Sequence, residues 1–229
     1  MLSLRNVYFS YGESDVLKDV SMDIDFGESV GLIGANGAGK STLFSLVCGI
    51  NSPISGDISI DGERFSKKNM GEMRKRIGMV FQDPDDQLFM QTVYDDVSFS
   101  LRNAGFSQEK TDERVRHVLS HLKIESIAQK PPYKLSGGEK RRAAIAGAIA
   151  LKPDYLLLDE PTAFLDPRSK RDFYELYESI SCARILASHD LDAVKRLCDR
   201  VVILHNGQVA YDGKNDILSD EDFLMKCGL

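Results

Sequence analysis

Gly34-Ala35-Asn36-Gly37-Ala38-Gly39-Lys40-Ser41-Thr42, preceded by the apolar run Val30-Gly31-Leu32-Ile33 and followed by Leu43-Phe44-Ser45-Leu46-Val47, reads as a buried strand, a glycine turn and a helix. Glycines at 34, 37 and 39 take away the Cβ atoms that obstruct a chain folding back on itself, so successive N–H groups can point inward at phosphate oxygens. The helix that begins near Lys40 adds the positive end of its dipole. Lys40 can reach the β- and γ-phosphates of a nucleotide, and the Ser41 hydroxyl can ligate the magnesium ion that accompanies them. A glycine-rich turn of this kind can also bind nothing, but spacing and strand–helix context together favour a phosphate cradle.

Upstream, Leu2 to Tyr8 alternates like a half-buried strand, and Val16 to Asp25 alternates again around Leu17, Val20, Met22 and Ile24. Between them Phe9-Ser10-Tyr11-Gly12 is a turn with aromatic residues. Downstream, Asp57-Ile58-Ser59-Ile60 leads into Asp61-Gly62, a strong hairpin signal, and Ile77 to Phe81 is a further buried strand ending on Gln82. The N-terminal third is therefore expected to form a mixed sheet.

From Asp83 the character changes. Asp83-Pro84-Asp85-Asp86-Gln87 is a polar turn, and Val93 to Gly105 and Glu109 to Leu122 carry helical periodicity, punctuated by Gly105, Ser107 and Pro131-Pro132. This is read as a helical insertion over 83–134. Ser136 with Glu139 fits a capping box that opens a helix running toward Leu151, extending the helical part to about 83–153. The two glycines of that first turn, Gly137 and Gly138, leave backbone N–H groups open to an anion, although an ordinary capped helix looks the same. Tyr155-Leu156-Leu157-Leu158 then ends in Asp159-Glu160. Open α/β sheets place ligands at such strand ends, so Asp159 can hold magnesium through its water shell and Glu160 can take a proton from water attacking a γ-phosphate. Two later strands, 184–188 and 201–204, are separated by helices, which implies parallel strands covered by helices.

The chain of 229 residues has a net charge of -6, which argues against a broad basic footprint for nucleic acid. Cys48, Cys182, Cys198 and Cys227 are far apart and form no CxxC pair, as in a cytosolic protein with reduced thiols. No signal segment opens the chain, and the longest apolar stretch, Ala143 to Leu151, is too short to cross a bilayer. Any membrane link is expected to come through a partner.

Taken together, the loop at 34–42, Gln82 at a strand end, Leu135-Ser136-Gly137-Gly138-Glu139, Leu157-Leu158-Asp159-Glu160, Leu165-Asp166 and Ser188-His189-Asp190 resemble, in order, the nucleotide-binding subunit of ATP-binding cassette (ABC) transporters. The resemblance runs from Leu2 to about Gly213. It implies an α/β fold with a P-loop NTPase core, a mixed or antiparallel β subdomain and a helical subdomain, all one ABC ATPase domain over 1–229. It also implies two cassettes, identical or not, that sandwich ATP and Mg2+ head to tail. Tyr11 would stack on adenine, and Gly34, Asn36, Gly37, Ala38, Gly39, Lys40, Ser41 and Thr42 would hold the phosphates. Gln82 would touch magnesium and the attacking water, and Ser136, Gly137 and Gly138 would cap the γ-phosphate bound by the opposite cassette. Glu160 would be the general base, His189 a γ-phosphate contact, and Asp166 a link between the two sites.

Gln82 to Phe89 further resembles the energy-coupling-factor group of importers, which take up vitamins and cobalt or nickel ions. That likeness implies integral membrane subunits as partners, a place on the cytoplasmic face of the membrane, and a docking surface at Leu88, Phe89, Val97, Phe99 and Leu101. Gly138 to Arg142, the stretch Ala143 to Leu151 and Phe164 to Arg168 are most similar to the cobalt- or nickel-type cassettes, with a vitamin importer or a non-transport ABC ATPase as alternatives. Phe164 is bulky where a small residue is usual, a departure that bears on cross-talk between the two sites and not on ATP binding. A repair or chromosome-maintenance ATPase needs a coiled-coil insertion or nucleic-acid surface that is not visible, and a phosphotransferase has no use for Leu135 to Glu139.

Overall fold

In the computed structural model, which describes residues 1–163 and 165–229, the alternation at the N-terminus becomes an antiparallel sheet. Strands β1 (Leu2–Tyr11) and β2 (Ser14–Ile24) pair with each other, and β1 also pairs with β4 (Ser55–Ile60), whose far edge carries β5 (Glu63–Arg64), giving the order β2-β1-β4-β5. Leu4 and Val7 both face the core although three positions separate them. A register shift between them, with Asn6 at φ 47° and Asp19 across from it at φ 63°, supplies the extra residue. Asp61 and Gly62, at φ 53° and 79°, form the β4–β5 turn in the doubly left-handed conformation that matches strand twist.

The mixed sheet expected for the N-terminal third does not form, because its third strand, β3 (Ser29–Ile33), leaves it. Every residue of β3 is buried, so it needs cover on both faces, and it lies inside a second sheet. That sheet has the order β10-β9-β3-β8-β7-β6, built from β6 (Ile77–Val80), β7 (Tyr155–Asp159), β8 (Ala183–Ala187), β9 (Arg200–His205) and β10 (Gln208–Lys214). All its pairings are parallel except the β9–β10 hairpin. Val30, Leu32 and Ile33 are fully buried, and each contributes about 1.5–3 kcal/mol by leaving water. The two faces of this sheet are covered separately: α1 (Lys40–Val47) and α2 (Met70–Lys75) pack on the face that meets the antiparallel sheet, and α6 (Pro167–Ser179), α7 (Leu191–Leu197) and the short α8 (Glu221–Lys226) pack on the other.

Between β6 and β7 the chain runs through α3 (Val93–Asn103), α4 (Gln108–His121) and α5 (Gly137–Ile149), which pack on one another, while α5 also lies against β6. Side chains of Thr92, Ser107 and Ser136 cap the three helices, and Ser136 and Glu139 form the expected capping box. Of the five residues expected on a docking surface, Leu88, Val97 and Leu101 are instead core: Val97 and Leu101 fall on the inward face of α3, and Leu88, in the loop before it, packs into the same cluster. Phe89 and Phe99 remain exposed, edge to face at 5.1 Å. Phe164 lies outside the described residues.

Strand β6 and helix α5 approach so closely that a Cβ on Gly78 would sit 2.6 Å from the Ala148 carbonyl oxygen. Gly78→Ala is expected to destabilise the protein by about 1–3 kcal/mol, read as a lower urea midpoint. An unchanged midpoint would show that the helix does not sit that close.

Candidate nucleotide site

The parallel strands end at one edge, and the C-terminal ends of β3, β6, β7 and β8 build a cleft of about 740 Å³. The loop after β3 supplies its floor. A Cβ on Gly34 would lie 2.5 Å from the Leu204 carbonyl oxygen, and Gly39 sits at φ 106° against Leu17, so a side chain fits at neither. Gly39 precedes α1 without any side-chain cap, so the first N–H groups of that helix are left for a ligand. Lys40 is buried in the cradle, with its ammonium donating to the carbonyls of Gly34 (2.6 Å) and Ala35 (3.3 Å).

Opposite the loop stand the two acids that end β7. Burial raises the Asp159 carboxyl above its ordinary pKa, the Ser41 hydroxyl lowers it, Glu160 raises it, and Lys40 lowers it. Glu160 is buried and adopts φ 44°, a left-handed conformation rare for a residue with a side chain. Its Oε2 accepts from the Ser188 hydroxyl (3.2 Å) and the His189 main-chain N–H (3.3 Å), and lies 2.8 Å from His189 Nδ1. The His189 ring is largely exposed and borders the cleft, as does Gln82 just past the end of β6. Asn36, Gly37, Ala38 and Thr42 also line it.

Ser41, Asp159 and Gln82 offer a hydroxyl, a carboxylate and an amide oxygen, the hard-oxygen donors that suit magnesium better than a softer metal. A buried carboxyl pushed toward its protonated form also fits a place where a cation would restore its charge.

Two sets of expected residues are not in this cleft. Tyr11 is exposed at the end of β1, edge-on to Phe9 at 4.9 Å, with its hydroxyl accepting from Asn51 at 3.3 Å. Ser136, Gly137 and Gly138 line a different cleft together with Asp166. Asp166 caps α6 by accepting from the main-chain N–H groups of Arg168 and Ser169. Sequence reasoning missed Val16, Leu191, Gly228 and Leu229, which complete the wall of the phosphate cleft, and the Ser188 bond to Glu160. The hydroxyl was legible as part of the Ser188-His189-Asp190 motif; nothing in sequence spacing brings residue 228 to residue 35.

A strand, an uncapped glycine loop and helix, and a facing acid pair on a parallel sheet define a P-loop nucleotide hydrolase. The chain belongs to the ABC transporter family, whose model matches residues 17–163. It is 38% identical over 236 residues to the energy-coupling factor transporter ATP-binding protein EcfA of Methanocaldococcus jannaschii, covering 100% of this chain and 85% of that protein. The solved structure of cbiO1 from Clostridium perfringens, part of the ABC transporter complex cbiONQ, superposes with a TM-score of 0.85 at 37% identity, covering 98% of this chain and 92% of the other. The ATP-binding cassette MJ0796, solved as a dimer in a post-hydrolysis state with ADP and Pi, gives a TM-score of 0.80 at 28% identity over 94% and 99%. The fold is that of an ABC ATPase, and the chain is an ATP hydrolase that uses Mg2+.

Because Asp159 holds its proton more tightly folded than unfolded, it costs stability at neutral pH and the cost fades as pH falls through its folded pKa toward the unfolded one. In nucleotide-free protein Asp159→Asn is therefore expected to raise the melting temperature at pH 7, with a gain that shrinks on acidification, while Mg2+-dependent ATP turnover is lost. A lower melting temperature at pH 7 would contradict the electrostatic account.

Proposed function

We propose that this chain is the ATPase subunit of an energy-coupling-factor-type importer, and that residues 1–229 form one cassette with its helical subdomain over about 83–153. One observation carries the reading of the mechanism. The open amino end of α5 at Ser136-Gly137-Gly138 lines a cleft that does not include the phosphate loop, which favours capping of the γ-phosphate by another chain over capping by its own. A second cassette, the same chain or a similar one, brings its α5 end to that place, adding donors and excluding water. The dimeric ADP- and Pi-bound relative supports this arrangement.

Within each site the roles follow from the contacts. Lys40 exchanges its two carbonyl partners for phosphate oxygens, and the loop N–H groups from Gly34 to Thr42 hold the phosphates. Tyr11, open to solvent, stacks on the base. Ser41, Gln82 and Asp159 hold magnesium, which supplies positive charge to the phosphate oxygens. Glu160 is the general base: Ser188 and His189 fix Oε2, and Oε1 makes no hydrogen bond to the described residues, leaving it to accept a proton from water. His189, whose Nδ1 lies 2.8 Å from Glu160 Oε2, presents its exposed ring to the γ-phosphate. Asp166, beside the second cleft, links the two sites.

Among the described residues no helix is long and apolar enough to cross a membrane. We place the chain on the cytoplasmic face through integral membrane subunits, with the exposed Phe89–Phe99 pair and the cleft between them and Arg74 as the docking site. The cargo proposed is cobalt or nickel ions, from the resemblance of Gly138 to Leu151 to cassettes of that type; the likeness to cbiO1 and EcfA supports the importer class. Purification from native membranes tests this. A copurifying membrane scaffold with cobalt or nickel supports the reading, the same scaffold with a vitamin replaces the cargo, and recovery without any membrane partner removes the transport role.

Glu160→Gln is expected to keep ATP binding and cut turnover by on the order of 10²–10⁴. In that background ATP should drive dimers on size exclusion, and Ser136→Arg should abolish them while each chain still binds ATP. Dimers that persist would rule out capping across the interface.

A further inference from the structure

Gln82 stands just beyond β6, the edge strand of the parallel sheet. The carbonyls of Phe81 and Gln82 thus have no strand ladder to enter, and both must find donors elsewhere. Arg141, in the second turn of α5, provides them. One guanidinium nitrogen donates to the Phe81 oxygen at 2.8 Å and another to the Gln82 oxygen at 2.7 Å. The side chain is buried, and among the described residues its Nε has no hydrogen-bond partner and no carboxylate lies within ion-pair distance, although Asp83 favours its charge from farther away. A buried cation with an unpaired donor is a poor way to gain stability, so its placement asks for another reason. Two further contacts tie the same loop to the same helix, and a third braces the loop on itself. Lys140 pairs with Asp85 at 2.6 Å, Gln87 donates to the Ala144 carbonyl at 2.9 Å, and Gln87 also accepts from the Phe81 N–H at 3.1 Å.

We propose that Arg141 is a positioning residue for Gln82: its forked guanidinium fixes the main chain of the Gln82 loop to α5, so that Gln82 and the Ser136-Gly138 end move as one body. The inference rests on the role given to Gln82 above. A displacement of Gln82 at one nucleotide is then carried along α5, over only a few residues, to the end that faces the other nucleotide. The fork matters because two parallel donors hold a direction as well as a distance, which a single ammonium does not.

The test uses the full chain with two readouts. In hydrogen–deuterium exchange, wild-type amides at 82–87 and at 136–140 should change protection together when ATP is added. In Arg141→Gln the first segment should still respond while the second does not. In steady-state kinetics Arg141→Gln should lower kcat by on the order of 10- to 10²-fold, as small misplacements do, with ATP affinity within about twofold. Combined with Gln82→Ala it should cost nothing further, because a residue that acts through another is not additive with it. Arg141→Lys should recover part of the loss, and it carries the test if the glutamine variant does not fold. Arg114→Gln, which breaks only bonds to the Ile149 and Ala150 carbonyls at the far end of α5, should leave kcat unchanged. Joint protection changes in the Arg141 variant, or equal losses with and without Gln82, would overturn the proposal. A Gln82→Ala protein with normal kcat would instead remove the role of Gln82, and the inference with it.

Discussion

The turn at the end of β3 is the constraint on which the rest depends. The chain must reverse within van der Waals contact of the neighbouring strand, keep main-chain N–H groups facing the cleft, and start a helix without a side-chain cap. Gly34 permits the first, since any Cβ there would strike the Leu204 carbonyl. Gly39 permits the last. A loop with this much unpaired polar backbone is stable only when both sides of β3 are buried and its neighbours are fixed, which β8 and β9 accomplish by parallel pairing.

Around that loop the protein concentrates its unfavourable features. Asp159 is a buried carboxyl that pulls toward protonation, Glu160 is held in a left-handed backbone, and Lys40 makes do with two carbonyls. Elsewhere several charged groups are settled in pairs. The Arg200 guanidinium bridges Glu28 and Asp212, and Arg76 bridges Asp61 and Asp154. On the proposed assignment, the charges left waiting at the strand ends are those that Mg2+ and the phosphates of ATP would satisfy. Binding of substrate therefore completes the fold's electrostatics as well as filling a cleft.

The helical part shares an apolar core with the parallel sheet, and its link to the Gln82 loop adds a polar joint. Apolar packing of α3, α4 and α5 makes that part stiff in itself, whereas its connection to the Gln82 loop runs through Arg141, Lys140 and Gln87. Directional hydrogen bonds transmit position better than apolar contact, which slides. A stiff body on a directional joint is what a machine that converts phosphate chemistry into movement of a partner requires.

Much of this was legible in the sequence because it is local. The glycine spacing with its flanking apolar strand and helix determined the phosphate cradle; Ser136 with Glu139 determined a helix start; Asp61-Gly62 determined a hairpin; and four apolar residues before Asp159-Glu160 determined a buried strand ending in acids. Each is a relation among residues within about a turn or a strand of one another, where backbone sterics and local hydrogen bonds decide. The tertiary structure decided what depends on distant partners. It moved β3 out of the N-terminal sheet, sent Leu88, Val97 and Leu101 to the core while leaving Phe89 and Phe99 outside, and brought Gly228 to the phosphate loop. It also aimed Arg141 at two carbonyls sixty and fifty-nine residues away. None of these has a period or a spacing, since which face of an element is buried is settled only by what packs against it.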